Sequence, residues 1–480
     1  MNGINLHSSY DPQKEAERFV DNISCSYNPA CIIITGPALS WTAVPLKKRF
    51  PQATLCAIRY SHDFSDTDTQ WDIVFDGTAP AAILEDKLFN TFGEEIIFMT
   101  LFIAWQPSAS AYSETHKTVW ESIKHTVLKS RSILGTRTFF AERWLKNACR
   151  FCTLVHSIYT VIPGTSAVLA VASGPSLKSS IPFILHNRNS FFILAVSSAL
   201  QPLLAAGITP DLVISTDGGY YARRHLLLLE HSGNHIPVAL TAESAADSSL
   251  LSNGDILPLT YGDVPEKNFL DACTIHAVHA ERNGTVSGTA AMLALSITSG
   301  PIFFCGLDLA PAKGYQHMQP NALEQDICIS DTRLHPLSLR VSAAGLPSPS
   351  MDLYRQWFTN LDVSVTSRLF RLSDHYRYAN VLGTVRDISW DAFSTYLPKG
   401  NTVAPSCLQL PSLPARTVRI KALRSLIRQL SSQDVWLNNA FPADYLLWKR
   451  STPDAAHAAQ LVLEQDNRIL VEHLMKVLHG

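Results

Sequence analysis

Val168-Leu169-Ala170-Val171-Ala172-Ser173-Gly174-Pro175-Ser176-Leu177 decides how this chain is read. An apolar run of strand composition empties into a Gly-Pro-Ser turn, and a segment able to form a helix follows, the unit from which α/β proteins are built. Such a turn can hold a phosphate. Gly174 lets the backbone come close to a ligand, Pro175 stiffens the turn, and Ser176 is placed to cap a helix whose first N–H groups attract an anion. The same letters also occur at ordinary strand-to-helix junctions that bind nothing.

The neighbouring sequence repeats the arrangement. Phe191 to Val196 reads as a buried strand, with Ser197-Ser198 able to cap a short helix that ends at Gly207. Asp211 to Thr216 is a further strand, delivering Asp217, Gly218 and Gly219 at its carboxyl end. Ligands of open parallel sheets bind at that edge, so Asp217 is a candidate for a ribose or sugar hydroxyl or for a metal. The alternative is a turn carboxylate bonded to the backbone of Gly218 or Gly219. Asn283-Gly284-Thr285-Val286-Ser287-Gly288 opens a helix through Leu295, so Thr285 and Ser287 either meet an anion or cap and pack. Pro301 to Cys305 is another buried strand ending in Gly306 and Asp308, with His317 in the loop beyond. A strand-end carboxylate and a nearby histidine can form an acid/base pair near neutral pH.

The 480 residues are 46% hydrophobic and should divide into two to four domains. With 39 Lys and Arg against 41 Asp and Glu, nothing in the overall charge points to nucleic acid or an anionic membrane. The longest apolar runs, Ile96 to Trp105 and the Phe191 region, are too short or too interrupted to span a bilayer. Met1 to Arg18 is polar and mixed in charge, unlike a secretory signal, and nine scattered cysteines form no disulfide framework, so a reducing cytoplasm is expected. Cys149 and Cys152 have metal or redox spacing but no second pair, and read as two partly buried thiols of a helix.

The expected organisation is an N-terminal Rossmann-like domain over 1–112, a helical connector over 113–164, a central α/β domain over 165–402 and a C-terminal helical region over 403–480. The first block shows a helix from Asp11, strands at Ala30 to Thr35 and Ala53 to Arg59, and a poor phosphate loop at Gly36-Pro37-Ala38. Helix is expected from Ser113 to Ile162, carrying an Arg143/Trp144/Asn147 face that serves packing more readily than a ligand. Val403 to Pro414, with three prolines, reads as a linker. After it, Ile420, Leu423, Ile427 and Leu430 form a packing stripe, Arg416, Arg419, Arg424 and Arg428 a solvated face, and Leu463 to Leu478 a second amphipathic helix of a closing bundle.

Taken together, residues 171–177, 206–217, 284–290 and 305–310 with His317 resemble the core of the bacterial motility accessory factor proteins. These share the DUF115 domain with the archaeal 6-hydroxymethylpterin diphosphokinase. The segment His7 to Arg18 and the Arg143-Trp144…Asn147 helix extend the resemblance over nearly the whole chain. The resemblance implies a Rossmann-like domain, a central α/β domain similar to bacterial sialyltransferases, and C-terminal helices. It implies transfer of a nonulosonic acid from its CMP-linked form to Ser or Thr of flagellin or another protein acceptor. Ser173, Gly174, Pro175 and Ser176 would then hold the nucleotide phosphate, with Asp217, Asp308 and His317 lining the cleft. The chain departs from the family at 373–383, where His375, Tyr376 and Arg377 stand in place of paired glycines.

Three functions compete. The first is the glycosyltransferase, with His317 as base; the second is a pyrophosphokinase acting on a pterin alcohol with ATP and Mg2+, held by Asp217 with Asp308. The third is a catalytically degenerate member that binds a nucleotide or a flagellar partner.

Overall fold

The structure is a computed structural model that describes residues 3–231, 235–310, 314–329, 331–343, 349–372 and 382–479. The chain divides into two compact units, Met1–Ala141 with Ser431–Leu470 and Glu142–Leu430 with Val471–Gly480.

In the first unit, strands β1 (Cys31–Thr35), β2 (Thr54–Arg59), β3 (Ile73–Asp76) and β4 (Thr100–Ala104) form a parallel sheet in the order β3-β2-β1-β4. The β1 run Cys-Ile-Ile-Ile-Thr is buried throughout, as expected of a parallel strand covered on both faces. Helix Pro12–Asp21 starts as its sequence predicts: the Asp11 carboxylate accepts the Lys14 N–H, and proline stands in the first turn.

The second unit carries β5 (Ser157–Ile162), β6 (Val168–Val171), β7 (Phe192–Val196), β8 (Leu212–Ser215), β9 (Val238–Thr241), β10 (Asp255–Thr260), β11 (Val278–His279), β12 (Ile302–Cys305), β13 (Leu369–Leu372), β14 (Arg386–Ile388) and β15 (Ser406–Gln409). Their order is β14-β13-β12-β6-β7-β8-β9-β10-β5-β15, with β11 beside β10. All pairs are parallel except β15 on β5. From β6 the chain steps outward through β7, β8, β9 and β10, then returns to lay β12 on the other side of β6, with Cys305 opposite Val171. The sheet therefore reverses between β6 and β12, where ligands of open α/β sheets bind. The protein is an α/β fold of parallel sheets with helices, Arg416–Leu430 to Pro453–Val477, closing the chain.

Five expectations are corrected. The long helix stops at Leu154, and residues 157–162 are β5, because Ser-Ile-Tyr-Thr-Val-Ile suits a pleated strand and pairs with β10. The proline-rich segment after Val403 holds β15, whose residues 406–409 close the free edge of β5. Ser197 does not cap its helix; Val196 precedes it without a side-chain bond. Arg419 is not solvated: it is 4% exposed and donates to the Pro414 and Cys152 carbonyls, sharing the stripe with Leu423, Ile427 and Leu430. The last helix also begins earlier than expected, at Pro453.

Candidate functional site

At the reversal point the turn after β6 meets the turn after β12. Gly174 donates its N–H to the Gly306 carbonyl at 2.9 Å, and the Ser176 N–H donates to Asp308 Oδ2 at 2.9 Å. A Cβ at Gly174 would lie 2.4 Å from Asp308 Oδ2 and 2.5 Å from Gly306 O. The glycine thus makes room for this chain's own backbone and carboxylate, not for open ligand space. Ser176 makes no side-chain cap to helix Leu177–His186. Asp308, from another strand, supplies the anion at that helix start. Burial raises the Asp308 carboxyl, while the bonds from Ser176 and the Arg371 guanidinium oppose that rise.

Ser173 ties three segments together. Its hydroxyl shares a 2.7 Å hydrogen bond with Ser198 Oγ, and its carbonyl accepts the Met318 N–H at 2.8 Å. Asn321, fully buried, donates from Nδ2 to the Ser198 carbonyl at 3.2 Å. The loop with His317 is thereby held against the ends of β6 and β7.

There His317 forms a dyad with Glu324, which sequence reasoning did not mark. The His317 N–H donates to Glu324 Oε1 at 3.0 Å, and Nδ1 lies 3.2 Å from the same oxygen. Gln319 Nε2 donates to the other carboxylate oxygen. The His317 side chain is 27% exposed and that of Glu324 is 14% exposed, so the carboxylate is mostly dry while the ring reaches solvent. With the proton on Nδ1 facing Glu324, Nε2 presents its lone pair. Neither the loop nor the first turn of helix Ala322–Ile329 advertises this pairing, since Glu324 lies on the helix and His317 in the loop seven residues before it.

His225, another residue missed, is buried in the turn Ala222–Leu226. Burial pushes its imidazole down to about 4, helped by the charge of His317 and opposed by Asp217. His225 thus feels both Asp217 and His317. Asp217 is exposed, and its Oδ1 accepts the Gly219 N–H at 2.7 Å, the turn arrangement weighed as its alternative. Asp308 is engaged with Ser176 instead.

Thr285 caps helix Val286–Ile297 by accepting the Ser287 N–H at 3.3 Å, and Gly288 packs on the Asn283 side chain. This is the capping and packing arrangement. Beyond it, Arg282 lies over the rings of Trp144 and Tyr261, 4.9 and 4.1 Å from their centroids, and bonds Glu243 and Asp263. Glu266, 2% exposed, accepts from Ala242, Thr260 and Tyr261, and burial beside Glu243 pushes it up to about 8. Asn147 donates to the Glu243 carbonyl at 2.8 Å, so the Trp144/Asn147 face packs on strand ends. Cys149 and Cys152 are fully buried beside Cys273, and burial raises both thiols away from reactivity. Among the described residues no three His, Cys, Asp or Glu side chains gather to hold a metal, and no helix is long and apolar enough to cross a membrane. Residues 373–381 of the divergent loop, with His375, Tyr376 and Arg377, lie outside the described residues.

Residues 142–314 match the family model described as 6-hydroxymethylpterin diphosphokinase MptE-like. An uncharacterized protein of Treponema pallidum (strain Nichols) is 31% identical over 321 residues, spanning 67% of this chain and 70% of its own length. The chain belongs to the MptE-like family. A second uncharacterized protein of the same organism is 27% identical over 180 residues, 35% of this chain and 30% of that protein. A solved structure of the MAf glycosyltransferase from Magnetospirillum magneticum AMB-1 aligns with 100% of this chain and 88% of its own, at a TM-score of 0.49 and 13% identity. In this MptE-like chain the matched stretch contains Ser173 to Ser176, Asp217, His225 and Asp308. It ends at residue 314, just before His317, so the dyad lies outside the matched residues.

Proposed function

We propose that this MptE-like protein is a glycosyltransferase that moves a CMP-activated sugar of the nonulosonic acid type onto Ser or Thr hydroxyls of a protein acceptor such as flagellin. One observation carries the reading: a partly exposed histidine oriented by a mostly buried glutamate lies in a loop held at the carboxyl ends of β6 and β7, the same edge of the sheet at which β8 delivers the exposed Asp217. In the proposed step the acceptor oxygen bonds to the anomeric carbon as the bond from that carbon to the CMP phosphate breaks. The electron pair leaves with CMP, and the acceptor proton passes to Nε2 of His317. Glu324 holds the imidazole and stabilises the imidazolium that results. Asp217 accepts hydrogen bonds from ribose or sugar hydroxyls. In this reading the phosphate lies by the hydroxyls of Ser173 and Ser176, because the Gly174 and Ser176 amides are already bonded to Gly306 and Asp308 and Pro175 has none.

The family description favours a second reading, diphosphate transfer from ATP to a pterin alcohol. Mg2+ would accompany it on the polyphosphate with one or two carboxylates; exposed Asp217 fits that duty, and Asp308, engaged with Ser176, does not. The deciding experiment incubates the purified protein with CMP-linked sugar and flagellin, or with ATP, Mg2+ and 6-hydroxymethylpterin. CMP release with a matching mass gain on the acceptor supports the first reading. AMP release with a pterin diphosphate supports the second and removes the first. No turnover of either pair, in a folded protein that binds a nucleotide, leaves the catalytically silent member.

A further inference from the structure

Directly after Asp217 the chain reads Gly218-Gly219-Tyr220-Tyr221, and both tyrosines face solvent, at 55% and 62% exposure. Their ring centroids are 5.5 Å apart and their planes 86° apart, so the rings make a corner. Tyr220 is also held in place. Arg223 lies 4.2 Å from its ring centroid and donates from Nη2 to its hydroxyl at 2.8 Å, while Nη1 bonds Asp247 Oδ1 at 3.0 Å.

Two adjacent large rings in water forgo the burial that usually places them inside, and fixing them there costs side-chain entropy as well. An aromatic corner anchored through an arginine to a carboxylate is pre-organised for a partner. Its chemistry selects the partner: a flat ring stacks on one tyrosine face and meets the edge of the other. A sugar offers such a corner only the C–H face of a puckered ring, whereas a planar heteroaromatic ring brings its whole π-face into contact.

We propose that Tyr220 and Tyr221 are the stacking platform for a planar heteroaromatic ring whose attached group reaches Asp217. This rests on the reading above, in which the ring is the nucleobase of the donor. A nucleobase and a pterin share the chemistry, so the ligands tested must tell them apart.

The test titrates the full chain with CMP, ATP, 6-hydroxymethylpterin and ribose 5-phosphate by calorimetry, in the native protein, in a Tyr220→Ala/Tyr221→Ala double variant and in Tyr221→Phe. Thermal melting confirms that each variant is folded. The expected result is CMP affinity weakened about tenfold or more in the double variant, retained in Tyr221→Phe, with ribose 5-phosphate unaffected. CMP affinity unchanged in the double variant, or an equal loss for ribose 5-phosphate, overturns the platform. If pterin or ATP binds in place of CMP and depends on the tyrosines, the platform stands and the sugar-donor reading falls. If CMP-dependent transfer persists without them at native affinity, the reading stands and the platform falls. A native protein that binds none of the four removes both.

Discussion

Each unit has a sheet whose parallel strands reverse order beside one strand, β1 in the first unit and β6 in the second, and in each a Gly-Pro pair follows that strand. In the first unit Gly36-Pro37 follows β1, with β4 on the far side; in the second Gly174-Pro175 follows β6, with β12 on the far side. The two turns close differently. A Cβ on Gly36, whose φ is +64°, would sit 2.6 Å from the Tyr60 ring and 2.9 Å from Ser108 Cβ, and buried Arg59 pins the next residues through the Ala38 carbonyl and Ser40. Side chains fill that crevice. At Gly174 the neighbour is a carboxylate and a helix starts at once, leaving polar groups and two histidines along the same edge. One topology has thus produced a packed junction and a chemically furnished one, and the difference lies in the loops.

The largest expected effect breaks the second junction alone. His317→Ala should lower kcat for transfer by about 10²–10⁴-fold, the usual contribution of a general base. His116→Ala, which removes the ring bonded to Tyr60 in the first unit, should stay within about twofold, as expected away from the reacting groups. Equal losses would erase the functional contrast.

His225 supplies a pH test. Its folded pKa is held at about 4, so between that value and the ordinary 6.5 an unfolded chain takes up a proton that the folded chain refuses. Stability should therefore fall as pH drops from 6.5 to 4, by roughly 3 kcal/mol from this group, and this contribution should not change further below 4. Urea midpoints measured across that window should slope less in His225→Asn than in the native chain. Parallel slopes would mean that the imidazole is not desolvated.

Gly174→Ala should cost about 2 kcal/mol of stability, through overpacking against Gly306 and Asp308, and should also weaken nucleotide binding. Gly36→Ala, with its left-handed φ, should destabilise at least as much while leaving binding in the remaining folded protein intact. Denaturation curves together with titration of the folded fraction separate the two. The smallest change is Ser173→Ala, which removes the bond to Ser198 and should cost about 1 kcal/mol by the same denaturation measurement.

Much of the fold is legible before any coordinates. Continuous apolar runs such as Phe192–Val196 and Ile302–Cys305 are buried parallel strands, and their ends carry the residues singled out, Asp217 and Asp308 among them. What escaped reading depends on distant partners. Asp308 reaches Ser176 across 132 residues, so nothing local shows that the helix start already holds an anion. β15 exists because β5 has an open edge, and Arg419 is buried because the Cys152 carbonyl, 267 residues away, receives it. His225 and Glu324 belong to no motif; they matter only because loops after different strands converge.

The sequence by itself determined that this is an α/β chain with parallel sheets, that Gly-bearing turns end its strands, and which family it resembles. Periodicity, glycine placement and capping residues act over a few positions and are written locally. Only the tertiary structure decided that Asp308 closes the turn at Ser176, that Glu324 orients His317 and that His225 is kept neutral. Hydrogen bonding and desolvation depend on which atoms are neighbours in space, and here those neighbours come from segments the chain brings together only on folding.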